Sequence, residues 1–121
     1  MAKATPDAIL DAMADAIIAV VTTETVCSGE PANYAGIAAV ELADVGMAGG
    51  DITKANGDGS GRKFTFAQKS AVAIDANGTA THIAIHSGTT LLYVTTCTSQ
   101  VLTSGGTVTI PAWKVEIADP T

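Results

Sequence analysis

The sequence predicts a mainly β protein, an antiparallel sandwich or barrel-like body preceded by one amphipathic α-helix. Three observations carry this. Only the segment 6–21 repeats apolar side chains at three- and four-residue spacing. Beyond it Val, Ile and Thr replace Ala, and Gly, Asn, Asp and Ser recur about every ten residues, the rhythm of short strands joined by turns. With 121 residues, 47% of them hydrophobic and 15% charged, the chain has the apolar content for one core and lies far from disordered compositions. A single domain over 1–121 is therefore expected, with a helix at 6–21, a Gly-rich loop at 44–61 and a β body at 23–43 and 62–119.

The helix begins with Thr5 placed to cap free N–H groups, Pro6 at the first helical position and Asp7 in the first turn, where the macrodipole favours an acid. Ile9, Met13, Ile17 and Val20/Val21 form its apolar face. Asp7, Asp11 and Asp15 follow at i, i+4 spacing on another face, expected to be solvated. The run of β-branched residues at 20–23 ends the helix. The pattern leaves open whether the apolar face covers the protein's own sheet or a neighbour's, so Ile9, Met13 and Ile17 are interface candidates.

Strands are predicted at 23–28, 37–43, 63–67, 71–75, 79–86, 91–97, 100–103 and 107–117. A hairpin is expected to join 71–75 to 79–86 through Ala76, Asn77 and Gly78, since Asn and Gly tolerate the positive φ of hairpin turns. Ser87-Gly88-Thr89 and Ser104-Gly105-Gly106 mark further reversals, and Pro111 implies an edge or a bulge. The stretch 44–61, with six glycines and little periodicity, reads as one long loop in which Asp58, Gly59 and Gly61 are turn residues.

A net charge of −6 and a pI near 4.5 have the wrong sign for holding a phosphate backbone, so no nucleic-acid partner is expected. The charge is uneven: residues 1–59 sum to −7 and residues 60–121 to +1. The longest apolar stretch, 16–21, is far short of the ~20 residues that cross a bilayer, and no membrane partner is expected. No signal-peptide pattern precedes Cys27 and Cys97, which read as reduced, buried, small apolar residues.

Motifs with chemical potential dissolve on inspection. His82 and His86 would share a helix face, but on a strand they stand roughly 13 Å apart, too far for one metal ion. Residues 56–61, Asn-Gly-Asp-Gly-Ser-Gly, imitate the start of a calcium loop, yet the twelfth position is Ala67 rather than Glu, so a tight turn is expected. The same glycines lack the order of a phosphate-binding loop. Asn77-Gly78-Thr79 matches the glycosylation sequon but is explained by a turn. No nucleophile motif or acid/base pair stands out, so no enzyme activity, metal or cofactor is expected. Phe64 and Phe66 share a strand face and should pack in the core. Trp113 reads as a core anchor first and an interface anchor second, and with Tyr34 it completes the interface candidates.

A longer pattern runs through the chain. Cys27-Ser28-Gly29-Glu30-Pro31 with Tyr34 is followed by Gly57-Asp58-Gly59-Ser60-Gly61-Arg62-Lys63 and by Gly78-Thr79-Ala80-Thr81-His82 with Ile83 and Ala84. Leu91-Leu92-Tyr93-Val94-Thr95-Thr96, Leu102-Thr103-Ser104-Gly105-Gly106-Thr107-Val108 and Pro111-Ala112-Trp113 complete it, and the helix opens Ala8-Ile9-Leu10-Asp11-Ala12-Met13. In order and spacing this resembles a family of small virion-associated proteins of tailed bacteriophages and prophages, over nearly the whole chain. The resemblance implies a structural particle component without catalytic residues, assembled in the host cytoplasm and carried in the virion. The expected role is capsid decoration or cement, with the major capsid protein and further copies of the chain as partners, the protein being a homo-oligomer. A neck or tail component is the alternative. A receptor- or glycan-binding β module on the virion surface is another, and it would require Tyr34, Tyr93 and Trp113 to be exposed.

Overall fold

The computed structural model describes residues 6–118, so the predicted cap Thr5 lies outside the described residues. The protein is mainly β, with antiparallel sheets behind an N-terminal helix. Strands β1 (Thr23–Cys27), β2 (Glu41–Gly46), β6 (Gly78–His86) and β7 (Leu91–Leu102) form a four-stranded sheet in the order β2-β1-β6-β7. Strands β3 (Ile52–Asn56), β4 (Arg62–Phe66) and β9 (Trp113–Ile117) form a three-stranded sheet, and β5 (Lys69–Ala73) pairs with β8 (Thr107–Ile110). One bridge, Ala43 to Ile74, ties the β5/β8 ribbon to β2. β7 and β8 do not pair, so the sheets make a sandwich-like body rather than a closed barrel.

Alternation along the strands directs two clusters inward. Val26, Leu42, Ile83, Leu102 and Ile110 pack between the four-stranded sheet and the ribbon. Ile17, Ile52, Phe64, Phe66 and Ile85 pack where the three-stranded sheet meets helix α1 (Asp7–Ile18), and Trp113 touches both groups. Phe64 and Phe66 meet edge to face at 5.8 Å, as their shared strand face predicts. Cys27 is buried and Cys97 half-buried, and both are free thiols.

Pro6 occupies the cap position of α1 rather than the first helical position, and no side chain caps the helix. A second helix, α2 (Tyr34–Val40), replaces the first half of the strand predicted at 37–43. Asn33 caps it, its Oδ1 accepting from the Gly36 N–H at 2.9 Å, and Ile37 is its buried anchor. This Asn cap and the Ala-rich run favour one short helix before the chain straightens at Glu41.

The region 44–61 is not one loop. It holds the end of β2, a 3-10 turn at Gly49–Asp51 and all of β3. In β3 only Ile52 is buried, so the strand has no alternation to read, and it exists because β4 pairs with every residue of it. The predicted hairpin from 71–75 to 79–86 does not form either: β5 pairs with β8, and β6 with β1 and β7. Period-two alternation specifies a strand's face, not its partner.

The strands predicted at 91–97 and 100–103 are one strand, β7, in which Cys97, Thr98 and Ser99 bulge opposite Thr81. The strand predicted at 107–117 divides at Pro111 and Ala112, where β8 ends and the chain crosses to another sheet. Ala71, at the irregularity of β5, has φ 54, a left-handed conformation uncommon for a residue with a Cβ.

Candidate assembly surface

Helix α1 divides its apolar residues between two faces. Ala14 and Ile17 are buried on the side toward β3 and β4, so Ile17 belongs to the protein's own core. Ile9, Met13 and Val20 point outward, 63%, 39% and 47% exposed. Of the acids expected on a solvated face, Asp7 and Asp15 are exposed while Asp11 is drawn in, and all three face bases of the sheet. Asp11 accepts from Arg62 Nε at 2.9 Å and Nη2 at 3.3 Å, and Asp15 pairs with Lys54 at 2.6 Å. Asp7 stands 4.0 Å from Arg62. The acidic first half of the chain is thus partly neutralised by bases of the sheet it covers. With its inner face and flank satisfied, the helix presents Ile9 and Met13, and the turn after it Val20, as apolar surface that the fold does not use.

Tyr34, at the start of α2, is partly exposed, and its ring meets the His86 ring edge-on at 5.5 Å. His86 Nδ1 lies 2.9 Å from the Ser87 carbonyl, which can only accept, so this nitrogen carries a proton. In the neutral ring Nε2 then accepts from the buried Thr25 hydroxyl at 2.8 Å. His82 bonds instead to the Thr81 hydroxyl. The two histidines are engaged separately. Beside them a cleft of about 270 Å³ is lined by Thr25, Tyr34, Ile37, Glu41, Asp44 and His86. Carboxylate oxygens of Glu41, Asp44 and Asp75 approach within 4.8 Å of one another, and burial, then the two Asp charges, raise the Glu41 pKa. Such acidic groups are common without an ion. Sequence reasoning missed this grouping because Glu41 and Asp44 of β2 are joined by Asp75, distant in sequence, from the segment after β5.

Trp113 is an internal anchor. Its ring stacks on Phe66 at 4.0 Å and faces Tyr93 at 6.0 Å, while its Nε1–H donates to Glu24 Oε2 at 3.2 Å. Glu24 is fully buried, and its Oε1 has no hydrogen-bond partner. Burial pushes its pKa up to about 7, against the indole hydrogen bond and Lys69, which favour the anion, while Asp51 adds to the rise. No local pattern marks this group, because Glu on a strand normally lies on the solvent face.

The predicted turn residues fall in two places. Residues 57–61 are the hairpin turn between β3 and β4, with the Gly57 N–H bonded to the Gly61 carbonyl at 2.9 Å and Gly61 at φ 67, while Asn56 ends β3. Asp58 pairs with Lys63 and Lys114, and Asn56 Oδ1 accepts from Arg62, so bases of the sheet occupy side-chain oxygens that a calcium loop would offer, while the Gly59 N–H donates to Glu116. Asn77 and Gly78 do not close a hairpin. Asn77 Oδ1 accepts from the Ser104 N–H at 2.7 Å, and Gly78 opens β6 without positive φ, where an added Cβ would lie 2.7 Å from Leu42 Cδ2. Glycine here answers close packing, not turn geometry.

No protein-family model matches the chain, and neither curated proteins nor solved structures gave a match. Among the described residues no helix is long and apolar enough to cross a membrane.

Proposed function

We propose that the protein is a structural component of a tailed-bacteriophage particle, a decoration or cement protein that docks on the coat lattice through the outer face of α1. The observation that carries this reading is the exposed apolar patch of Ile9 and Met13 on a helix whose inner face and acidic flank are already engaged, with Val20 in the turn that follows it. The motif resemblance points the same way. Burying each such side chain is worth about 1.5–3 kcal/mol, and repetition over a lattice multiplies a modest contact into firm attachment. The glycan-binding alternative is weakened by Trp113, whose ring stacks on Phe66 and whose N–H is spent on Glu24.

Quantitative mass spectrometry of purified particles tests the reading through the ratio of this chain to the major coat protein. Copies in proportion to the coat lattice support decoration; a small fixed ring moves the protein to the neck or tail; absence from particles ends the virion reading. In the decoration case, Ile9→Asp with Met13→Asp should abolish binding to undecorated shells while the isolated protein stays folded.

A further inference from the structure

Strand β7 is an outer strand of the four-stranded sheet and pairs with β6 alone among the described strands. It is also free of charge: from residue 87 to residue 112 there is no Asp, Glu, Lys, Arg or His. Protected sheet edges usually carry such residues, or Pro, or a cover. Of the other outer strands, β8 is equally uncharged but only four residues long and is followed at once by Pro111, and β5 carries Lys69. β3 carries Lys54, held by Asp15 of the overlying α1; β9 carries Lys114 and Glu116; β2 carries Glu41 and Asp44 and is tied to the segment after β5. The protective devices on β7 are two bulges, at Leu92 and at residues 97–99, which leave straight runs at 93–96 and 100–102.

Beside β7 the body is open. Between it and the chain around Pro111 run two adjoining apolar pockets of about 140 and 290 Å³, both lined by Ile83, Cys97, Thr98 and Pro111. The first reaches the core residues Val26 and Leu102. Val101 on the same strand is 75% exposed, the most exposed large apolar side chain described.

We propose that β7 is a self-association edge: the β7 strands of two copies pair antiparallel about a two-fold axis, each strand's apolar side chains seating in the groove beside the other. The occupant is a second copy because of charge. Two chains of net charge −6 repel, and an isologous contact sets like surface against like, so it is cheapest where the surface is neutral. A charged peptide, by contrast, would find only Lys114 at one end of the groove. Antiparallel pairing would satisfy the outward N–H and C=O groups of both strands at once. The proposal deepens the assembly reading by naming the contact between copies. It concerns the isolated chain, so its failure and that of the virion reading are separable.

Sedimentation velocity of the full chain over a concentration series tests it. The wild type should form a closed dimer, and Val101→Lys or Thr96→Lys, both at exposed positions, should weaken it about ten-fold or more. Far-UV circular dichroism and Trp113 emission verify that each variant is folded, and hydrogen exchange of the β7 peptide should slow as the dimer forms. A monomer at every concentration overturns the proposal. So do open-ended growth, a dimer indifferent to both lysines, and a dimer abolished by Ile9→Ser with Met13→Ser.

Discussion

Glu24 is the residue whose chemistry departs furthest from its sequence context. Its carboxyl is buried with one oxygen unpartnered, and burial raises its pKa from 4.5 to about 7. A raised acid binds its proton more tightly in the folded state than in the unfolded one. Its contribution is fully present below the unfolded value near 4.5 and is lost as pH rises through about 7, a loss on the order of 3 kcal/mol. The protein should therefore unfold at lower urea concentration at pH 8 than at pH 5, other groups being equal. Glu24→Gln, neutral at both values, should match the wild type near pH 5 and exceed it at pH 8. Equal pH dependence in the two proteins would remove Glu24 as its source. Gly57 offers a second test at this scale. An added Cβ would lie 2.0 Å from the Ser60 carbonyl oxygen, a backbone atom that cannot swing away, so Gly57→Ala should lower the melting temperature while Gly59→Ala, with open space around it, should not.

At the scale of elements, α1 shows what a sequence pattern can and cannot convey. Its apolar residues follow from three- and four-residue spacing, although the helix ends at Ile18, three residues before the expected limit at 21, and the pattern treats Ile9, Met13 and Ile17 as one face. Packing separates them, because Ala14 and Ile17 meet Phe64 and Phe66 while Ile9 and Met13 stay outside. Asp11 reads as solvated because Arg62, distant in sequence, is invisible to a local pattern, whereas Asp15 stays exposed beside Lys54. For the same reason the hairpin assigned to Asn77-Gly78 failed. Those residues satisfy turn chemistry, but their use is fixed by Ser104 and Leu42, which no local window contains. The candidate surface was half legible: its residues were named, and the face each would take was not. Ile17→Ala should thus cost about 2–4 kcal/mol by leaving a cavity, and Ile9→Ser should stay within about 0.5 kcal/mol. Urea midpoints of the two variants decide it; equal losses would mean that the helix does not divide its apolar residues in this way.

For the whole molecule, the question is whether α1 is an attachment arm or a structural wall. The helix and the residues after it supply Ala14, Ile17 and Val21 to the cluster that holds Phe64, Phe66 and Ile85, and Trp113 links that cluster to the other. Removing residues 1–21 would expose the two phenylalanines and leave Arg62 and Lys54 without their acids. Two buried branched side chains at about 2–5 kcal/mol each already approach the 5–15 kcal/mol by which domains are stable. The truncated chain should therefore lose cooperative unfolding, and Trp113 emission should shift to the red as its stack on Phe66 opens. A truncated chain with native emission and a sharp urea transition would make α1 an arm. Because the inner face of the helix is committed to folding, deletion cannot report on its outer face. Assembly through Ile9, Met13 and Val20 has to be tested by changing those side chains alone, since they are exposed while Ala14, Ile17 and Val21 belong to the core.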